Sequence, residues 1–180
     1  MLTLAFSLRD RLDTAGRVLL PSVARLVFGA VLLVYFWSSA MTKLGEGFLG
    51  FLYPSSGAYV QVFPAAMEAA GYDASQLGVF HWAVVVAGTC AEFILPLLIV
   101  LGLFTRLAAL GMIGFVIVQS VVDITGHMAD PATIGSWFDK ISSALILDQR
   151  ALWVVLLLVL VFKGPGPLAL DRIFGGRSSL

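Results

Sequence analysis

Apolar residues run along this chain in long unbroken stretches, not in alternation. Leu19–Met41, Phe80–Leu103 and Leu107–Gly126 each approach or exceed the ~20 residues that a helix needs to cross a ~30 Å hydrocarbon core. A fourth stretch, Ala151–Phe162, is short alone. Ala144–Leu147 extends it to a span of 144–162 if Asp148 and Arg150 sit at the interface or face protein. No period of two interrupts these runs, so they predict helices and not barrel strands. The pattern predicts an all-α integral membrane four-helix bundle.

The connections are unequal. Gly102–Arg106 leaves room only for a tight turn, so the second and third spans are expected to be antiparallel neighbours. In the long Thr42–Val79 connection, Tyr53-Pro54-Ser55-Ser56-Gly57 carries turn chemistry. Tyr59–Ala70 mixes apolar residues with Gln61 and Glu68 and is broken by Pro64. It reads either as a short amphipathic or re-entrant segment or as an ordinary ordered loop. His127–Gln149 contains Pro131, Gly135 and Trp137 and predicts a short helix before the last span. Trp82, Trp137 and Trp153 fall near the predicted interfaces. Ahead of the first span, Leu2–Thr14 sets Arg9, Asp10, Arg11 and Asp13 beside Leu4, Phe6, Leu8 and Leu12 and reads as a short interfacial helix. The expected organisation is an N-terminal interfacial segment (1–16), one transmembrane domain (17–171) and a tail (172–180).

Composition agrees with this pattern. The chain has 180 residues, 59% hydrophobic and only 12% charged, about half the ~25% of an ordinary soluble domain. That much apolar surface cannot be hidden at this size, which excludes a soluble enzyme or a disordered chain. Eleven basic residues balance eleven acidic ones, so nothing steers the chain toward nucleic acid. The basic residues are nevertheless sorted. Arg9, Arg11 and Arg17 precede the first span, Arg106 lies in the tight turn, and Lys163, Arg172 and Arg177 follow the fourth. The opposite loops carry only Lys43, Lys140 and Arg150. This bias predicts both termini in the cytoplasm and both long loops outside. Ser38-Ser39-Ala40 resembles a signal cleavage site, but the long basic lead contains Asp10 and Asp13, so an uncleaved first helix is expected. The lone Cys90 lies in an apolar run and reads as a packing residue.

Charges inside a membrane cost free energy and each needs a reason. Glu92 lies near the middle of the second span, too deep for a short side chain to reach water. It must be protonated, paired or beside a wet cavity, as a proton carrier or as a clamp between helices. Pro96 would free a backbone carbonyl at the Glu92 turn. Arg25, one turn inside the first span, is the expected partner unless it reaches outward to lipid phosphates. On the third span Gln119, Asp123 and His127 fall at i, i+4 and i+8, on one helical face near its outer end. Asp123 and His127 are expected to hydrogen-bond and are candidate proton carriers, or else form a stripe that meets water and headgroups. Lys43 and His81 fall at similar depth and complete an outer polar cluster. His81 and His127 at one depth are compatible with haem, or with a metal if Asp123 joins them. Nothing else in the sequence asks for either, and no metal is expected.

The chain resembles the DoxX family of small four-helix bacterial membrane proteins. The resemblance rests on Arg25-Leu26 with Gly29, on Lys43-Leu44, on Glu92 leading through Leu101-Gly102-Leu103-Phe104-Thr105-Arg106-Leu107-Ala108-Ala109-Leu110, on His127, and on Gly164-Pro165-Gly166 followed by Leu170-Asp171. It implies an inner-membrane bundle of the kind associated with quinone-linked sulfur oxidation and with oxidative-stress complexes, acting with a partner. Glu92, Asp123 and His127 are then the candidate proton carriers, and Arg25, Lys43 and Gln119 the candidate quinone or ligand contacts. No intrinsic redox cofactor is evident. A non-enzymatic anchor or assembly factor for a periplasmic or membrane partner is the alternative, and a homo-oligomer is compatible with either.

Overall fold

The computed structural model describes residues 2–174, with side chains described from Arg9 to Ile173. Leu4, Phe6 and Leu8 of the expected interfacial segment, and Arg177 of the tail, lie outside the described side chains. Among the described residues the chain is helical and has no strand. Helix α1 (Leu2–Phe28) passes through a π turn, Gly29–Leu33, into α2 (Val34–Met41), so the expected N-terminal segment and the first span form one continuous helix. The first long connection carries α3 (Ser56–Val62) and α4 (Pro64–Ala69). The tight turn joins α5 (Val79–Leu101) to α6 (Thr105–Val121), which ends in a second π turn, Val122–Gly126. The second long connection holds α7 (Pro131–Ile134). A third π turn, Leu145–Gln149, leads into α8 (Arg150–Lys163), and α9 (Leu170–Phe174) follows.

Four helices are long and apolar enough to cross a membrane: Arg9–Met41, Val79–Leu101, Thr105–Gly126 and Leu145–Lys163. They pack in a ring, with α1 and α2 against α8 and α5, and α6 closing the other side between α5 and α8. Phe28, Leu32, Phe36, Met112, Leu157 and Leu160 fill its axis. Phe36 meets the edges of Phe115 and Trp153, so Trp153 lies among the helices and not at an interface. Apolar side chains gain little by leaving lipid for protein. Shape fit and polar contacts therefore carry the association of these helices.

The end of the bundle with the tight turn is fastened by two side chains. Arg25 does not reach Glu92. Its Nε donates to the Ile99 carbonyl at 3.0 Å and its Nη2 to Val100 at 2.6 Å, while Nη1 donates to Pro165 and Leu168. The last carbonyls of a helix lack intrahelical donors and carry its negative dipole end, so a guanidinium at that level is drawn to them. Glu92 lies seven residues back from Ile99, about 10 Å along the axis. Asp171 makes the complementary contact. Its carboxylate accepts from the backbone N–H of Phe104 at 2.6 Å and of Thr105 at 2.9 Å, and from the Thr105 hydroxyl at 2.8 Å. The start of α6 is thus capped from the far end of the chain.

At the opposite end the long loops fold over the bundle. Ala58, Tyr59 and Met67 of α3 and α4 are buried with Val85 of α5. Of the two open readings for 59–70, the structure shows an ordered helical pair broken at Phe63–Pro64. Trp82 and Trp137 donate their indole N–H groups to the Leu52 and Leu147 carbonyls, tying both loops down.

Candidate functional site

Glu92 is buried in mid-span, and its partner is Lys43. Lys43 follows the end of α2, but its side chain turns back into the bundle. Its Nζ lies 2.9 Å from Glu92 Oε2 and 3.1 Å from Oε1, and donates also to Ser39 Oγ at 2.8 Å. The Ser39 hydroxyl donates in turn to Glu92 Oε1 at 3.1 Å. Lys43 and Glu92 retain only 6% and 3% of their exposure, so the pair is buried. Such a pair is tolerable because each charge is the counterion of the other and both carry further hydrogen bonds. Pro96 leaves the α5 backbone short of a donor in this turn, and the Trp37 indole donates to the Phe93 carbonyl there at 3.1 Å.

Asp123 and His127 do not bond to each other. The π turn at the end of α6 widens the helix, so that the N–H of His127 bonds to Val122, five residues back, and not to Asp123. The i, i+4 geometry expected from the sequence is lost. Asp123 instead forms an ion pair with Arg150 Nη2, while Arg150 Nη1 donates to Ser120 Oγ at 2.9 Å. His127 Nε2 lies 2.9 Å from the Gln61 carbonyl. A carbonyl only accepts, so Nε2 carries the proton and Nδ1 is left free to exchange one. Gln119 donates to the Tyr35 hydroxyl at 3.3 Å, and its Oε1 is buried without a partner.

Five of the six candidate residues nevertheless converge. Lys43, Glu92, Gln119, Asp123 and His127 line one cavity of about 460 Å³ between α5 and α6. Arg25 does not, and its contacts are those of the helix-end fastening. Val84, Leu95, Phe115 and Val118 make the remaining walls apolar, and Gln61 and Val62 of α3 close the loop end. Gln61 anchors that cover twice, through His127 and through its own amide on Thr42 Oγ1 at 3.2 Å. His81 lies outside the cavity, edge-on to Phe63 and Phe80, with its Nδ1 unpartnered. Among the described residues no three His, Cys, Asp or Glu side chains gather as metal ligands.

Sequence reading missed Arg150 and Gln61 as site partners. For Arg150 the signal was present, since a basic residue in the first turn of a short span faces either headgroups or protein. The backbone carbonyl of Gln61 carries none.

No curated protein and no solved structure matches the chain. A family model, DoxX, matches residues 20–124, which takes in the first three spans and both Glu92 and Lys43. With its four apolar helices and that match, the chain is a multi-pass membrane protein of the DoxX family.

Proposed function

We propose that this protein is a quinone-binding subunit of a bacterial inner-membrane redox system, working with a partner that draws electrons from a sulfur compound or an oxidative-stress substrate. The observation that supports this reading most is the cavity itself. Its walls are apolar, its depth is that of mid-span, and a hydrogen-bonded Lys43–Glu92 pair faces into it. A flat ring with oxygens at both ends fits such a space, and the unpartnered Gln119 Oε1 offers an acceptor for a ring hydroxyl.

A bound quinone supplies two-electron, two-proton chemistry. Lys43 would be the residue to hold a ring oxygen, turning one of the N–H groups it now gives to Glu92 and Ser39 toward it. Glu92, which accepts one hydrogen bond from Ser39 and two from Lys43, would hold and release a proton beside it. His127 Nδ1 exchanges protons at the exposed loop end. Asp123, held by Arg150, shapes the polar wall and is not a free carrier. Titration of the purified protein in lipid nanodiscs with a short-chain quinone, followed by quenching of Trp37 fluorescence, tests the reading. Saturable binding is expected in the wild type. Lys43→Met is expected to weaken it about tenfold, as loss of a charge-assisted hydrogen bond does. His127→Ala is expected to leave binding intact and to slow reduction. A folded bundle that binds no quinone overturns the proposal.

The closed state of both ion pairs favours a second reading, in which they clamp a non-enzymatic anchor or assembly factor for a partner protein. Partner activity lost on exchange of the long loops but kept in Glu92→Gln would select it.

A further inference from the structure

The cavity is covered at its loop end by α3 and is open on its flank. At the loop end α3 lies across it, held by the two Gln61 contacts, and Gly126 packs so closely that an added Cβ would stand 2.8 Å from Pro64 Cγ. Toward the tight turn α5 and α6 also touch, where a Cβ on Gly111 would lie 3.1 Å from a Leu95 methyl. Three residues farther along each helix of this antiparallel pair the contact is lost. Gly114 then falls at the level of Glu92, and a Cβ on Gly114 would meet nothing within 4 Å. The same holds for Gly88 on α5. Gly114 and Val118 are exposed as well as lining the cavity, and they sit on a flank of a helix long and apolar enough to cross the membrane.

We infer that the gap between α5 and α6 at Gly88 and Gly114 is a lateral portal and tail groove, through which an amphiphile reaches Lys43 and Glu92 from the bilayer and not from water. The inference rests on the quinone reading for the identity of that amphiphile, whose polar ring would meet Lys43 while its apolar tail lies between the two glycines. The geometry assigns each part a reason. Buried charges at the inner end select a polar head, and the missing Cβ atoms at Gly88 and Gly114 leave open space on the flank. The surrounding solvent at that depth is hydrocarbon, so a tail leaving by the gap stays in an apolar medium. A site fed from water would be entered at the loop end, where the exposed Gln61 and His127 meet across the cavity in a 2.9 Å contact.

Thiol labelling tests the portal without a ligand. In a Cys90→Ser background, Ala91→Cys places one thiol on the cavity wall. An alkyl maleimide dissolved in the bilayer is expected to modify it faster than a sulfonated, water-confined maleimide by at least about tenfold. Gly114→Phe and, separately, Gly88→Leu are expected to slow the alkyl reagent by a similar factor. A control thiol introduced in place of the exposed Ile117 should label equally in all backgrounds, which shows that the variants are folded. Equal rates for the two reagents, or no slowing in either variant, overturn the portal. Protection of the cavity-wall thiol by a short-chain quinone reports separately on the quinone reading. Its absence, with the reagent preference intact, overturns that reading and leaves the portal standing.

Discussion

At the scale of single residues, the polar interior of this protein is set by which charge meets which. Lys43 and Glu92 are each other's only charged partner among the described ion pairs, and both are buried. Removing one of them leaves a buried charge uncompensated, which costs about 3–5 kcal/mol, whereas replacing both by apolar residues of similar size is often neutral. Lys43→Met alone should therefore lower the thermal midpoint sharply. Lys43→Met with Glu92→Leu should recover most of it, and a thermal-shift cycle of the four proteins measures this. That Glu92 must be protonated, paired or beside a wet cavity was legible in the sequence, because no short carboxylate can escape from mid-span. The identity of the partner was not. Position along the chain favoured Arg25, but the free carbonyls of Ile99 and Val100 claim that guanidinium, and Lys43 turns inward from beyond the last apolar residue.

The same physics separates Asp123 from His127. Asp123→Asn should destabilise the bundle, since it strands the mostly buried Arg150. His127→Ala, at an exposed position, should leave the thermal midpoint nearly unchanged.

At the scale of elements, the apolar runs located all four spans to within a few residues, except at the start of the first, where α1 begins well before the apolar run. Hydrophobic length is a strong signal and needs no knowledge of packing. The three π turns left no such mark. The first lies inside a helix that reads as continuous, the other two form the end of the third span and the start of the fourth, and these two lie beside the Asp123–Arg150 pair. The wider turn at Val122–Gly126 is why a spacing rule based on 3.6 residues per turn failed for Asp123 and His127. The helix ends bear their own tests. Gly102 closes α5 with φ at +69°, and a Cβ there would stand 2.7 Å from Arg25 Cζ. Gly102→Ala should cost more than ~1 kcal/mol, from backbone strain and from displacement of the Arg25 fastening. Asp171→Ala should cost ~1–2 kcal/mol by uncapping α6. Chemical or thermal unfolding in a fixed detergent checks both.

In the second long loop, the Thr133 hydroxyl and the amides of Ala132 and Thr133 hold the Asp130 carboxyl below the ordinary aspartate range. A carboxyl whose folded pKa is depressed stabilises fully above its unfolded value of ~3.9 and loses that contribution as pH falls through the lower folded one. Hydrogen exchange at Ala132 and Thr133, referenced to unfolded peptide, should show protection fading only below that range. Asp130→Ala should remove this dependence.

At the scale of the whole molecule, composition was the firmest guide. A chain this apolar has one solvent available to it, and the ring of four helices follows from a tight turn between two spans and long loops between the others. Sequence placed Lys43, Gln119, Asp123 and His127 with His81 in one outer cluster and set Glu92 apart with Arg25. In the structure Glu92 joins the first four along one cavity, and His81 and Arg25 stand outside it. The cavity itself was illegible. It exists because α5 and α6 touch at Gly111 and Leu95 and part at Gly114, a matter of side-chain volume on two separate helices. A quinone site within this bundle is the central claim, and its most direct test is an equilibrium binding isotherm. A short-chain quinone is titrated into nanodiscs holding the wild type and the Lys43→Met, Glu92→Leu double variant, which should keep its fold. Saturable binding to the wild type, weakened at least about tenfold in the double variant, is the predicted result. Equal affinity in the two proteins, or no saturable binding to a folded wild type, would contradict it.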